Sequence, residues 1–375
     1  LNDPAYLGNR HARVRGEKYD ALIAEYLKVA SELYPQALLH FEDFGPANAR
    51  RILVENREKY RIFNDDMQGT GAIVMAAVIS GLKVTKQRFA DQRLVVYGAG
   101  TAGTGMADQI SAAMQREGLS REEARKRVWL IDRNGLVTDD MPNLPNYQQA
   151  YARPAAEVAS WAREGAFGDS GHGHAASAGH AGAGHQGGNP AAGKIGLLEV
   201  VKQVKPTILI GTSTDHGAFT EDVVKALAAG VERPILLPLS NPTEKIEVMP
   251  WSEGRALMAT GIPLPPVQYN GTAFHIGQGN NALLYPGLGL GVIVSGAKHV
   301  TDGMLLAAAE AVASQVDPQD LGASLLPPVD NLRASSATVA VAVAKQAVAD
   351  GVATKPADNW VQAVQDAMWQ PVYRS

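Results

Sequence analysis

The chain has 375 residues, 46% of them hydrophobic, a formal net charge of −4 and no cysteine. That length and apolar share suffice for one large α/β domain or two smaller ones with real cores. Acids and bases are well mixed with no Lys/Arg block, which argues against a nucleic-acid or membrane-surface partner, and the lack of cysteine excludes disulfides and thiolate-bound zinc.

The opening residues, LNDPAYLGNRHARVRG, are polar and unlike a secretory leader. No uncharged apolar run approaches the roughly 18 residues of a membrane span, so the expected location is the cytoplasm. The chain opens on Leu1 rather than Met, as a processed or truncated piece of something longer would. Residues 17–33 carry apolar positions at helical spacing (Leu22, Ile23, Tyr26, Leu27, Ala30). ALLHF (37–41) reads as a buried strand ending at Glu42 and Asp43. A helix is expected over 46–60, then FNDDMQGT (63–70), then a helix through 71–82.

From residue 93 the pattern becomes strand, turn, helix. RLVVY (93–97), VWLID (128–132), TILIGT (207–212), PILLPLS (234–240) and ALMATG (256–261) are short apolar runs, as expected for parallel strands buried on both faces. Helices are predicted over 104–118 and 120–127. This alternation predicts a doubly wound α/β fold with a mostly parallel, Rossmann-type sheet. The stretch 168–193 is built mostly of Gly, Ala and His and reads as a disordered insert; its His172, His174, His180 and His185 are weak metal-ligand candidates. The last third, with helices over 302–316 and 336–351, should pack on itself or on the first 60 residues. The aromatic tail 360–373 suits either core packing or a subunit contact.

YGAGTAG places Gly98, Gly100 and Gly103 in the G-x-G-x-x-G spacing, after a strand and at the start of a helix, which is the context that gives the pattern meaning. There Gly98 permits the tight turn, Gly100 lets a pyrophosphate approach the backbone, and Gly103 allows helix to pack on strand, with Thr101 and Ala102 between them. Asp132 ends the next strand where a ribose-binding acid belongs. Its charge favours NAD over NADP, although Arg133 beside it weakens that preference.

Glu42 and Asp43 end one strand, and Asp65 and Asp66 follow some twenty residues later. One strand–helix unit would bring both pairs together, and clustered carboxylates with no thiolate or paired His would call for Mg²⁺ or Mn²⁺. Solvated helix caps explain the same spacing, and the residues alone leave both readings open. Asn241, after a predicted strand, and the adjacent Asn280 and Asn281 offer neutral amides suited to a dicarboxylate; as turn residues they would need no such role.

Together, DPAYLGNRHARVRG, HFEDFGPANA, FNDDMQGTGA, YGAGTAG, PLSNPT and IGQGNNALLYPGLGLG resemble the malic enzymes, bacterial NAD-type ones above all, with the malolactic enzymes similar. The match runs in order over nearly the whole chain except the Gly/His insert. The resemblance implies oxidative decarboxylation of (S)-malate to pyruvate and CO₂ with reduction of NAD. It makes Glu42, Asp43 and Asp66 the metal ligands and gives Asp65 a supporting catalytic role beside them. Gly98–Gly103 and Asp132 would hold NAD, and Asn241, Asn280 and Asn281 would contact malate and the nicotinamide side. It also implies a homodimer or homotetramer, a NAD domain over 65–280, a second domain from 1–64 plus 281–352, and a tail, 353–375, on a neighbouring subunit.

Two departures stand out. The family's tyrosine acid, lysine base and substrate-gripping arginine lie upstream of the DPAYLG block, so a chain complete as given would bind NAD and metal but turn over poorly. The segment between SNPT and WSEGRAL is a few residues short, which should disturb strand order near Asn241. A malolactic activity and a catalytically silent dinucleotide-binding module are the competing readings.

Overall fold

The computed structural model describes residues 2–164, 193–213, 217–239 and 247–373. The four insert histidines and Asn241 lie outside the described residues. Helix α1 (Glu17–Leu33) precedes strand β1 (Leu39–Phe41), α2 (Pro46–Asn56) and β2 (Ile62–Asn64). β1 and β2 pair in parallel, Leu39 with Ile62 and Phe41 with Asn64. Leu27, Phe41, Ile52, Leu53, Ile62 and Met67 form a small core of their own beneath this unit. Short strands and a helix of three turns close such a unit only if the apolar face of α2 covers both strands.

Among the described residues the main sheet has seven strands. β3 (Leu94–Tyr97) is central and leads through α4 (Thr101–Arg116) and α5 (Arg121–Lys126) to β4 (Val128–Asp132). The edge strand β5 (Gly135–Leu136) is antiparallel to β4. On the other side of β3 lie β6 (Ile208–Gly211), β7 (Ile235–Pro238) and β8 (Leu257–Thr260). A separate hairpin, β9 (Val267–Tyr269) and β10 (Thr272–Phe274), comes before the last sheet strand, β11 (Gly277–Gln278). The order is β11-β8-β7-β6-β3-β4-β5, and every pairing but the last is parallel. The short connection before β8 does not disturb this order: Ile235 pairs with Leu257 in a regular parallel ladder, contrary to the expectation from sequence.

Successive residues of each strand serve two different cores, which is why the strands read as unbroken apolar runs. Leu94, Val96, Ile208, Ile210, Ile235 and Leu237 face one, with helix α3 (Thr70–Thr85) and the C-terminal helices. Val95, Leu209 and Leu236 face the other. Together with the turn before it, α3 forms a 21-residue apolar stretch, Asp65–Thr85. It is long enough to cross a membrane, but 78% of its most apolar 18-residue window is buried inside the protein, as the central helix of the core.

The helices Tyr285–Ser295, Asp302–Ala313 and Leu332–Ala349 pack chiefly on one another and, through Asp302–Ala313, on α3, and they touch the first 60 residues at His40–Tyr285 and Arg57–Asp302. The first and last of these approach closely because Gly287 and Gly291 share one face; a Cβ on Gly291 would lie 2.7 Å from Val343 Cβ and 2.8 Å from the Ala340 carbonyl oxygen. Gly291→Ala is therefore expected to destabilise the protein by about 1–3 kcal/mol through overpacking, read from the midpoint of urea denaturation with an unchanged m-value.

Candidate active site

Parallel pairing places the residues that follow β1 and β2 at the same edge of the two-stranded sheet. Glu42 and Asp43 follow β1; Asp65 and Asp66 follow β2. One carboxylate oxygen from each of Glu42, Asp43 and Asp66 lies within 4.8 Å of the other two. Asp43 has a left-handed backbone, φ 56°, which few non-glycine residues adopt. That turn lets its N–H donate to Asp66 Oδ2 at 3.0 Å. Strain of this kind persists where surrounding structure over-determines it, and such positions cluster at functional sites.

Asp65 to Gly69 form a single π-helical turn ahead of α3, capped by the Asn64 side chain, which accepts from Met67 N–H at 3.0 Å. Such bulges are frequent at functional sites because they rotate side chains out of α-helical phase. Asp65 is only 7% exposed. Its Oδ2 accepts from Asn281 Nδ2 at 3.1 Å, whereas its Oδ1 is buried without a hydrogen-bond partner. His40 Nε2 stands 4.0 Å from that oxygen, and the His40 ring lies edge-on to Phe63 and Tyr285. His40, Glu42 and Asp65 make a second group of close potential ligands.

Burial, then the charges of Asp66, Asp65 and Asp43, push Glu42 from 4.5 up to about 7. Burial also raises Asp66, against the hydrogen bond from the Asp43 amide. Four neighbouring carboxylates, with Glu42 and Asp66 held above their usual range and Asp65 carrying an orphaned buried oxygen, supply hard oxygen donors and excess negative charge. That donor set fits a divalent cation such as Mg²⁺ or Mn²⁺.

The glycine turn sits where the strand order reverses, between β3 and β6, the crevice in which open α/β sheets bind ligands. Gly98 has φ 116°, and a Cβ there would lie 2.5 Å from Ser213 N. A Cβ on Gly103 would clash with the Gly98 carbonyl oxygen. Gly100, the N-cap of α4, faces open space among the described residues: none of them lies within 4 Å of a Cβ built on it. The first residue therefore makes the turn, the third packs helix on strand, and the middle one leaves its face free. Asp43 and Asp66 line one cavity of about 320 Å³ together with Thr101, Ala102 and Thr212. The carboxylate edge and the start of α4 thus open on a common space.

Asp132 closes β4, is pushed up chiefly by burial, and accepts from the Asn134 N–H at 2.7 Å. Asn281 is brought to Asp65 and also donates to Thr70 Oγ1 at 3.0 Å. The Asn280 side chain instead caps the short turn that follows, accepting from Ala282 N–H at 2.9 Å. Sequence reasoning missed His40, although it lies inside the HFEDF block. It also missed Thr212, whose hydroxyl donates to the Gly98 carbonyl at 2.8 Å, and Gln148, whose amide donates to the Ala99 carbonyl at 2.7 Å. Only the folded chain brings Thr212 and Gln148 to the glycine turn.

Residues 67–348 match the family model described as "Malic enzyme, NAD binding domain", and residues 1–60 the one described as "Malic enzyme, N-terminal domain". The chain belongs to the malic enzyme family. Over 379 residues it is 53% identical to NAD-dependent malic enzyme 3 of Bacillus subtilis, covering 100% of this chain and 62% of that protein. Over 378 residues it is 41% identical to the malolactic enzyme of Lactococcus lactis, covering 100% of this chain and 64% of that protein. The malic enzyme from Pyrococcus horikoshii shares the fold, with a TM-score of 0.66 at 22% identity over 92% of this chain and 68% of that one. The chain thus spans less than two thirds of the length of these two curated relatives.

Two outcomes are expected. Glu42 takes up its proton more readily in the folded state, so the stability it contributes is complete below pH 4.5 and lost as pH rises through about 7. Mn²⁺ competes with that proton: its affinity, by calorimetry, should fall up to about tenfold per pH unit below 7, level off above 7, and lose this dependence in Glu42→Gln. Separately, Gly103→Ala should cost about 1–3 kcal/mol in urea denaturation, while Gly100→Ala should leave stability within about 0.5 kcal/mol of the parent.

Proposed function

We propose that this chain is the metal- and dinucleotide-binding part of an NAD-dependent malic enzyme, acting in the cytoplasm, that converts (S)-malate and NAD to pyruvate, CO₂ and NADH. The observation that carries this reading is the cavity shared by Asp43 and Asp66 with Thr101, Ala102 and Thr212. A hydride acceptor seated on the glycine turn and a hydroxy acid held at the carboxylates would meet in that space. The family membership and the 53% identity to a protein named NAD-dependent malic enzyme support the same reading.

Glu42, Asp43 and Asp66 would hold Mg²⁺ or Mn²⁺, which when bound supplies Lewis-acid polarisation of substrate oxygens and stabilises negative charge during loss of CO₂. Glu42, displaced from its ordinary range by burial and its acidic neighbours, would have to give up its proton to act as a ligand. Asp65, fixed by Asn281 and buried beside His40, would sit beside the metal and support the catalytic base. Asn281, whose amide N–H groups donate to Asp65 and Thr70, would contact malate without adding charge, with Asn280 next to it and Asn241 as a further contact. Gly98 to Gly103 and the N-terminus of α4 would take the pyrophosphate. Asp132, at the end of β4, would accept from a ribose hydroxyl; a 2′-phosphate there would meet a carboxylate, which favours NAD over NADP. The acid and base that move protons at C3 and at the malate hydroxyl correspond to the family's upstream tyrosine and lysine.

We further infer a division into a NAD domain over 65–280 and a second domain from 1–64 and 281–352. The tail 353–375 would contact a neighbouring subunit of a homodimer or homotetramer. Its Trp369 (76% exposed) and fully exposed Tyr373 favour such a contact over core packing. The malolactic relative supports a second reading with the same cofactor and metal, in which lactate forms with no net NADH.

In the full-length protein, Asp66→Asn should lower kcat for malate-dependent NADH formation by roughly 10²-fold or more. EDTA should abolish the activity of the parent, and NAD affinity should change by less than about threefold. Full activity in Asp66→Asn, or in EDTA, would refute the assignment. Lactate without NADH as the product would select the malolactic reading.

A further inference from the structure

A second cavity, of about 250 Å³, lies behind the π-helical turn, on the far side of Met67, which lines both spaces. Its walls come from α2, α3, α4 and the helix Asp302–Ala313, and nothing in the proposed chemistry uses it. Among the described residues, five charged ones line it. Arg50 is 3.4 Å from Asp108, and Arg57 is 2.7 Å from Asp302, so these four balance in pairs. Arg116, in the last turn of α4, forms no ion pair among the described residues and leaves one positive charge uncompensated.

Gln68 lines the same cavity from within. It is 4% exposed; its Oε1 accepts from Asn64 N–H at 3.0 Å, while its Nε2 is buried with no hydrogen-bond partner among the described residues. A buried amide donor left unpaired costs on the order of 1–3 kcal/mol, and native proteins rarely tolerate one without a partner. The remaining wall is largely apolar, with Leu53, Met75 and Leu305 among its residues. An unpaired donor, a single free guanidinium and an apolar floor in a small cavity describe a receptor for a compact anion with a hydrocarbon body.

We propose that this cavity is a binding site for a small aliphatic monocarboxylate. The carboxylate pairs with Arg116 and accepts from Gln68 Nε2, and the hydrocarbon part lies on the apolar wall. One net positive charge suits a monoanion better than a phosphate dianion. The site is separate from the carboxylate cluster and does not depend on the activity proposed above.

The test is calorimetric titration of the full-length protein with butyrate in EDTA, without NAD or malate, so that neither metal nor cofactor takes part. Saturable 1:1 binding is expected, at least about tenfold tighter than for butyramide or inorganic phosphate, since the carboxylate makes charge-assisted bonds. Arg116→Gln, a change at an exposed and unpaired side chain, should weaken butyrate at least about tenfold. Ala112→Phe, which fills the cavity from α4, should abolish it, with folding checked by an unchanged melting profile. Asp66→Asn should leave it intact. Absence of binding at about 20 mM butyrate, equal binding of butyramide, or equal binding by Arg116→Gln would each overturn the proposal. Loss of binding in Asp66→Asn would place butyrate at the carboxylate cluster and overturn it equally.

Discussion

Four carboxylates held at one edge of a two-stranded parallel sheet are the constraint around which this chain is organised. Glu42 and Asp43 leave β1, Asp65 and Asp66 leave β2, and parallel pairing makes both strands end on the same side. Their mutual repulsion is written into Glu42, driven up to about 7. An antiparallel pairing of the same two strands would have put the acid pairs at opposite ends and removed the conflict. The fold instead concentrates it, fixes it with a left-handed Asp43 and a π-helical turn, and backs it with the amide of Asn281 from more than 200 residues away.

That arrangement gains chemical meaning from its neighbour. The strand order of the main sheet reverses between β3 and β6, and the glycine turn occupies that switch point. Two of its glycines are needed by the backbone around them, whereas Gly100 borders open space. Residues of the turn and of the acid cluster line one cavity, so the placing of the small βαβ unit against the large sheet is what brings these two groups of side chains to a common space. Helix α3 links them physically: it begins at the acid cluster and runs through the centre of the core that supports β3, β6 and β7.

Much of this was legible beforehand because the signals are local. The apolar runs at 93–97, 128–132 and 207–212 announce strands buried on both faces, and each forms one. The turn Gly98 to Gly103 reads in sequence as it stands in space. The helix at 46–60 proved shorter, Pro46–Asn56, and the one at 104–118 begins three residues earlier, since helix ends depend on capping and packing rather than on periodicity. His40 was passed over because a histidine in an apolar strand carries no signal until Asp65, Phe63 and Tyr285 are placed around it.

By itself the sequence determined the alternation of strand and helix, the position of the phosphate-type turn and the two acid pairs, because each depends on residues close together in the chain. Whether the acid pairs met, and whether they met beside the glycine turn, was left open. Spacing of some twenty residues permits an αβ crossover but equally permits two unrelated caps. Tertiary structure decided it through the parallel register of β1 and β2, through Asn281 reaching Asp65, and through Thr212 arriving beneath Gly98 from a distant strand. Those contacts join residues far apart along the chain, and burial of the shared core, not any local propensity, holds them in place.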